Sequence, residues 1–439
     1  MIISRIALLV AALHSLLGGY AQAVDYESLD PVVELRGIWL DAGAIPKTQR
    51  GIRDLMRIYK RANLNTIFPE VIARGYAVYP TRLLARDPRF LGHPDPLAAL
   101  VREAHAQGIE VHPWVWVFRA GYTKDRGAIL GGHPEWAELG KNGDALSPNG
   151  GHWISPANPA ARDYLADVFA ELVRNYDIDG LHLDYIRYEV EPKVPYGYSL
   201  ASREAFRRQY GADPLSIEDT PIHRYQWQKF RERLVNTFVQ RIALQTRSIK
   251  PTVKLSAAVG SDPIPARMEL LQNWVNWVDN KWLDFVTPMA YSSDDKHFAG
   301  LVNHQIDAVG ARALIAPGLG FFAQKTTAQM VRQIGIARER NADGQALFAA
   351  SYFKDAQVTA LAEGPYSRPA AVPFRDAADK GRLLAKRAAD LYQTGDPETA
   401  AYYAARARKL ADYACYQRTP IRYVRPTPPP IRLDQPDEQ

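Results

Sequence analysis

The amino-acid sequence predicts an α/β fold: a (β/α)8 TIM barrel carrying a C-terminal helical hairpin and a disordered tail. Three observations carry that expectation. Short apolar runs recur along the chain, and most are separated by stretches with helical periodicity. The runs are near-continuously apolar, as parallel strands buried on both faces must be. The first run is followed by no glycine-rich phosphate turn, because Gly37-Ile38-Trp39-Leu40-Asp41-Ala42-Gly43 does not supply one, and this sets aside a doubly wound sheet. A length of 439 residues, 47% of them hydrophobic, accommodates such a barrel and an appendage.

The elements follow in chain order. Arg5, an apolar run over 6–17 and the small-x-small triplet Ala21-Gln22-Ala23 read as a signal peptide, 1–23, cleaved after Ala23. The run is shorter than the roughly 20 residues a spanning helix needs, so no stable membrane span is expected after cleavage. The mature protein is therefore expected in the periplasm or outside the cell. The barrel is expected over 32–372, with strands at 36–40, 66–71, 110–117, 180–185, 253–259, 285–291, 313–319 and 346–352. Asp95-Pro96 and Asn158-Pro159 each open a helix, the polar residue as N-cap and the proline at the first helical position. Two connections, 118–176 and 189–252, are longer than a barrel repeat needs. Both leave C-terminal strand ends, the face where barrels carry their sites. Over 373–415, two Ala-rich helices joined by Thr394-Gly395-Asp396-Pro397 form a hairpin, read first as structural packing, with partner binding as the alternative. The Pro-rich, charged segment 416–439 reads as the disordered tail.

Charge and cysteine content narrow the function classes. The formal net charge is +6, one less once Arg5 is removed, and it is spread without the basic stripe that nucleic-acid binding calls for. A polysaccharide partner suits this balance. Cys415 is the single cysteine, which excludes an internal disulfide and a Cys-ligated zinc site. His112, His133, His152 and His182 show no ligand spacing, so no metal or other cofactor is expected. No Gly-x-Ser-x-Gly elbow is present.

The fourth strand is the most informative segment. In Asp179-Gly180-Leu181-His182-Leu183-Asp184-Tyr185-Ile186-Arg187-Tyr188, strand parity sends Gly180, His182 and Asp184 into the barrel and the leucines toward the helices. A carboxylate at the top of a barrel interior needs a reason, because unpaired buried charge is costly. That reason is either a structural ion pair with Arg187 or Arg36, or chemistry. Other strand ends add carboxylates, Trp and Tyr, a composition suited to sugars: rings stack on aromatic faces and carboxylates bond hydroxyls. Glycosidic cleavage needs two carboxyl groups, an acid and a nucleophile or base. Asp184 is expected to be the nucleophile or charge stabiliser. The second is sought among Asp294, Asp295, Glu70, Glu189 and Asp262, with Asp294 preferred because its loop can reach over the barrel mouth. Arg36, Glu70, Trp114, His182, Arg187, Tyr291 and Tyr352 are expected to line the sugar site.

Several blocks in order carry a resemblance: Glu34-Leu35-Arg36-Gly37-Ile38-Trp39, Asn65-Thr66-Ile67-Phe68-Pro69-Glu70-Val71, Arg74-Gly75-Tyr76-Ala77-Val78-Tyr79-Pro80, Gly108-Ile109-Glu110-Val111-His112-Pro113-Trp114, Trp153-Ile154-Ser155-Pro156-Ala157-Asn158-Pro159, the Asp184 segment and Pro288-Met289-Ala290-Tyr291. Together the chain resembles the glycosyl-hydrolase-like 10 family, also called uncharacterised family 187 of bacterial envelope proteins. The resemblance implies a TIM barrel acting on glycans of the cell envelope or outside it, peptidoglycan strands lacking stem peptides being one candidate. A non-catalytic glycan-binding protein is the alternative. The chain departs from the family in following Tyr188 with Glu189 instead of Pro, in lacking a lipid-accepting Cys, and in its C-terminal hairpin and tail. Chitinase-like barrels are excluded, since His182 and Ile186 stand where their motif has an inner Asp and the catalytic Glu.

Overall fold

The computed structural model describes residues 32–190, 195–324, 326–421 and 423. The expected signal peptide and most of the expected tail, 422 and 424–439, lie outside the described residues. Eight parallel strands form the barrel: β1 (Leu35–Leu40), β2 (Thr66–Ala73), β3 (Glu110–Val111 and Trp114–Trp116), β4 (Gly180–Asp184), β5 (Lys254–Val259), β6 (Phe285–Pro288), β7 (Leu314–Ile315 and Gly318–Gly320) and β8 (Gly344–Phe348). Pro113 and Pro317 lie in the gaps of β3 and β7, where a residue without an N–H cannot continue the ladder. The order closes on itself: β1 pairs with both β2 and β8, and β7 joins β6 through its first half and β8 through its second.

Side-chain parity divides the core into two shells. Ile38, Ile67, Val115, Leu181, Leu183 and Leu255 face the surrounding helices. Leu35, Trp39, Phe68, Trp114, Phe285 and Leu314 fill the inside. Gly180 is required by this filling, because a Cβ there would lie 2.0 Å from the His112 ring. The helices α1 (Gln49–Arg61), α2 (Pro96–His105) and α3 (Pro159–Asn175) are capped by Thr48, Asp95 and Asn158, the last two as the sequence predicts.

The long connections supply the roof and flank. The first carries an antiparallel ribbon, Arg119–Tyr122 with Gly151–Trp153, running on from β3. The second carries α4 (Leu200–Tyr210) and α5 (Pro221–Ile249). After β6 and β7 come α6 (Asp295–Val309) and α7 (Thr327–Glu339).

The hairpin helices are α8 (Ala377–Gln393) and α9 (Pro397–Arg418), the second running past the expected start of the tail at 416. They close the N-terminal end of the barrel, opposite the strand ends with the carboxylates. Phe374, leading into α8, stacks on Phe285 with centroids 4.9 Å apart and planes at 5°. Arg406 donates to the Val33 carbonyl at 2.9 Å and to Asp343 Oδ1 at 3.1 Å, and Lys409 reaches Asp343 Oδ2 at 2.6 Å. A buried charge so bonded at several points is held in one geometry.

Candidate active site

The C-terminal ends of β2, β3 and β4 build the centre of the site. Asp184, the last residue of β4, points inward as parity requires and is 7% exposed. Its Oδ2 accepts the indole N–H of Trp114 at 3.0 Å, and its Oδ1 accepts the following backbone N–H, that of Tyr185, at 2.6 Å. Tyr185 has φ 51°, a left-handed conformation that costs energy for a bulky residue and turns the chain sharply at the site. Burial raises the Asp184 pKa, while the Tyr185 amide, Arg187, the Trp114 indole and Arg119 hold it down. Neither Arg187 nor Arg36 makes a direct ion pair with Asp184 among the described residues: Arg187 pairs with Glu189 at 3.8 Å, and Arg36 with Glu34.

Glu70 is the second buried carboxyl at this level. A register shift in β2 between Glu70 and Ile72 turns both Val71 and Ile72 to the helix side and leaves Glu70 inside. Its Oε2 accepts the Ala42 N–H at 3.0 Å. Burial is the main force on it, reinforced by the charge of Asp41 and opposed by the Ala42 amide, and its pKa is raised to about 7. Glu70 is in register with Trp114, and Trp116 with Asp184, so the two carboxyls sit on strands separated by β3 alone. With strands about 4.8 Å apart and a rise of about 3.3 Å per residue, their Cα atoms are roughly 12 Å apart, and both side chains lean toward the axis. Tyr122 feels the charges of both.

The remaining predicted residues divide. Trp114, Tyr291 and Arg187 join Asp184: Trp114 by its hydrogen bond, Tyr291 by lying within reach of its charge, and Arg187 by packing over Tyr185 at 5.2 Å. Gly320 makes room for Tyr291, since a Cβ there would meet the Tyr291 ring at 3.0 Å. Tyr352 is on the rim, 48% exposed, beside Phe322. His182 lies one inward position below Asp184 and is fully buried. Its Nε2 accepts the Trp39 indole N–H at 3.1 Å, which leaves Nδ1 as the donor to Ser256 Oγ at 2.9 Å. Burial holds its pKa well below the usual range, so it is a neutral core histidine with both nitrogens used, out of reach of a sugar.

Two further expectations are corrected. Arg36 is near the opposite end of β1, where it bonds Glu34 and the Arg368 carbonyl and lies 4.4 Å from the centre of the Tyr366 ring. Its parity places it outside the barrel, between strand and helices. Asp294 is the N-cap of α6, exposed, with Oδ1 accepting the His297 N–H at 2.7 Å. Ser-Ser-Asp-Asp before a periodic apolar run is a capping signature, and that use of a carboxylate competes with catalysis. Asp262 likewise caps a short helix, Asp295 is bound by Gln329, Gln333 and Arg332, and Glu189 by Ser147 and Trp153. Among the described residues, no group of three or more His, Cys, Asp and Glu side chains converges as a metal site.

Residues 34–318 match the glycosyl hydrolase-like 10 family. The chain belongs to that family. It is similar to glycosyl hydrolase DigH of Escherichia coli K12, 25% identical over 270 residues that cover 55% of this chain and 58% of that protein. It is also similar to glycosyl hydrolase YngK of Bacillus subtilis 168, 23% identical over 302 residues that cover 59% and 54%. The chain thus spans little more than half the length of the curated relatives it matches. Among solved structures, the PgaB (BpsB) glycoside hydrolase domain of Bordetella bronchiseptica superposes with a TM-score of 0.58 at 15% identity, covering 73% of this chain and 95% of that one. α-L-Fucosidase isoenzyme 2 of Paenibacillus thiaminolyticus gives 0.56 at 16%, covering 76% and 49%. These two likenesses show the barrel fold. As a member of this family the chain is glycoside hydrolase-like.

The sequence reading missed Arg119, Tyr122 and Tyr185 of this family member's mouth. Arg119 lies over Tyr122 at 4.6 Å and Tyr185 at 5.0 Å, with the rings of Trp116 and Trp153 about it at 5.9 and 6.0 Å. The available signal was the pair Arg119 and Tyr122, three and six residues past the strand end at Trp116.

Proposed function

We propose that this chain hydrolyses glycosidic bonds in a cell-envelope or extracellular polysaccharide, with Glu70 as the acid and Asp184 as the nucleophile or charge stabiliser. The observation that carries the reading is the unequal pair at the mouth. Glu70, pushed up to about 7, keeps a proton to give at neutral pH; Asp184 is also pushed up by burial, but two hydrogen bonds and the charges of Arg187 and Arg119 favour its ionised form. Glu70 protonates the leaving oxygen as the glycosidic bond breaks; Asp184 either forms a glycosyl-enzyme bond that water then cleaves, or stabilises the positive charge while water attacks, and the Glu70 carboxylate takes the proton of that water. The aromatic lining of Trp114, Trp116, Tyr122, Tyr291 and Tyr352 suits the apolar faces of sugar rings.

Glycan strands of peptidoglycan without stem peptides are the first substrate to try, with the protein acting in the periplasm or outside the cell. Asp184→Asn should abolish release of soluble sugars from such strands and from a panel of polysaccharides, a loss of at least about 1,000-fold, with far-UV circular dichroism unchanged. Retained activity in that variant overturns the assignment, and wild-type binding without any product identifies a glycan-binding protein instead.

A further inference from the structure

The mouth holds a cation that the cleavage chemistry does not use. Resting on the reading of this site as glycan-cleaving, we infer that Arg119 recognises a carboxylate on the substrate, so that one sugar bound beside Asp184 is acidic.

Arg119 opens the ribbon that continues β3 over the mouth. Its guanidinium lies against the rings of Tyr122 and Tyr185, which leaves the edge of the plane, where the N–H groups are, directed away from the rings. Among the described residues it makes no ion pair, and its buried Nε has no hydrogen-bond partner. The neighbouring Arg187 also has an unpartnered buried Nε, but its charge is matched: it pairs with Glu189 at 3.8 Å and donates to the Tyr188 carbonyl at 3.0 Å. Arg74, on the same side of the ribbon, is matched with Asp125 at 3.1 Å. Asp184 is close enough to feel Arg119 but gives its oxygens to Trp114 and Tyr185. A buried donor with no partner is costly, and a guanidinium presents a planar fork that fits a carboxylate. Four rings fix its position, so little ordering is left to be done on binding.

Two sources supply the same chemistry: the lactyl ether of peptide-free peptidoglycan strands and the C6 carboxylate of a uronic acid polymer. The test measures binding of the full chain, wild type and Arg119→Gln, to oligosaccharides of each source and to their carboxyl-reduced forms, alongside product release. The wild type is expected to bind one acidic oligosaccharide about 10- to 100-fold more tightly than its reduced form, the range for a hydrogen bond to a charged group. Arg119→Gln should lose that preference and bind the reduced form as the wild type does. Whichever source shows the preference identifies the acidic sugar. Equal binding of acidic and reduced forms from both sources, no binding of either acid, or a variant that weakens acidic and reduced forms alike overturns the inference; the last outcome would mean that Arg119 only positions Asp184. Absence of product with the preference intact would overturn the hydrolytic reading and leave the recognition standing.

Discussion

Replacing Glu70 with glutamine tests the central electrostatic claim through stability as well as activity. A carboxyl whose pKa is 4.5 in the unfolded chain and about 7 in the folded one is penalised on ionising inside the barrel. Below pH 4.5 both states hold the proton, and the group contributes no penalty. As pH rises, the unfolded chain ionises first, and stability falls until the folded group also ionises near 7. At about 1.4 kcal/mol per pH unit the full loss is about 3 kcal/mol, of which about 2.5 kcal/mol falls between pH 5 and pH 8. Glutamine cannot ionise, but its oxygen can still accept the Ala42 N–H. Urea unfolding followed by tryptophan fluorescence at the two pH values should show Glu70→Gln gaining about 2 to 3 kcal/mol on the wild type as pH rises. The same variant should lose about 100- to 10,000-fold in activity on substrates with poor leaving groups and much less on activated aryl glycosides. A stability gap between the two proteins that is the same at pH 5 and pH 8 would refute the raised pKa, and with it the choice of Glu70 as acid.

Three other outcomes follow from named contacts. Trp114→Phe removes the indole N–H from Asp184, so the Asp184 pKa should rise further and the acidic limb of a pH–activity profile should move to higher pH; an unmoved limb would show that this hydrogen bond does not govern the titration. Glu34 is pushed up by burial but held at about 2 by Arg338 and Arg36, a depressed carboxyl whose stabilisation is present above 4.5 and lost as pH falls through 2. Glu34→Gln should therefore cost about 3 kcal/mol at pH 7 and much less near pH 2, measured by denaturant unfolding. Arg406→Ala leaves Asp343 with one charged partner and frees the Val33 and Ala342 carbonyls, and should destabilise by about 3–5 kcal/mol without changing the affinity for a glycan.

The barrel was legible because its strands are continuous apolar runs punctuated by helix caps, and these signals are local. Parity was equally readable on β4, where a regular strand sends His182 and Asp184 to one side. It could not say how deep each lies: one inward step separates a carboxylate at the mouth from a histidine locked between Trp39 and Ser256. The same limit applies to Arg36, whose position near the start of β1 decides its fate more than its charge does. Glu70 was in view as a binding residue, but its raised pKa depends on the β2 register shift and on Ala42, which sequence spacing does not show. Asp294 lies as an exposed N-cap for a local reason, since a loop carboxylate ahead of a helix is drawn to the free N–H groups of that helix's first turn. Arg119 was missed because its meaning comes from four rings brought together from the end of β3, the two strands of the ribbon and the turn after β4, which are distant in sequence.

The hairpin over the barrel floor has a consequence for the order in which the molecule becomes whole. Val33, at the start of the first strand, waits for Arg406, 373 positions later, to occupy its carbonyl, and Phe285 waits for Phe374. During synthesis from the N-terminus, all eight strands emerge while the floor is still open and apolar. The barrel is therefore finished from below by its last helices, and any chain released before them presents Leu35, Phe285 and Leu314 to whatever it meets next.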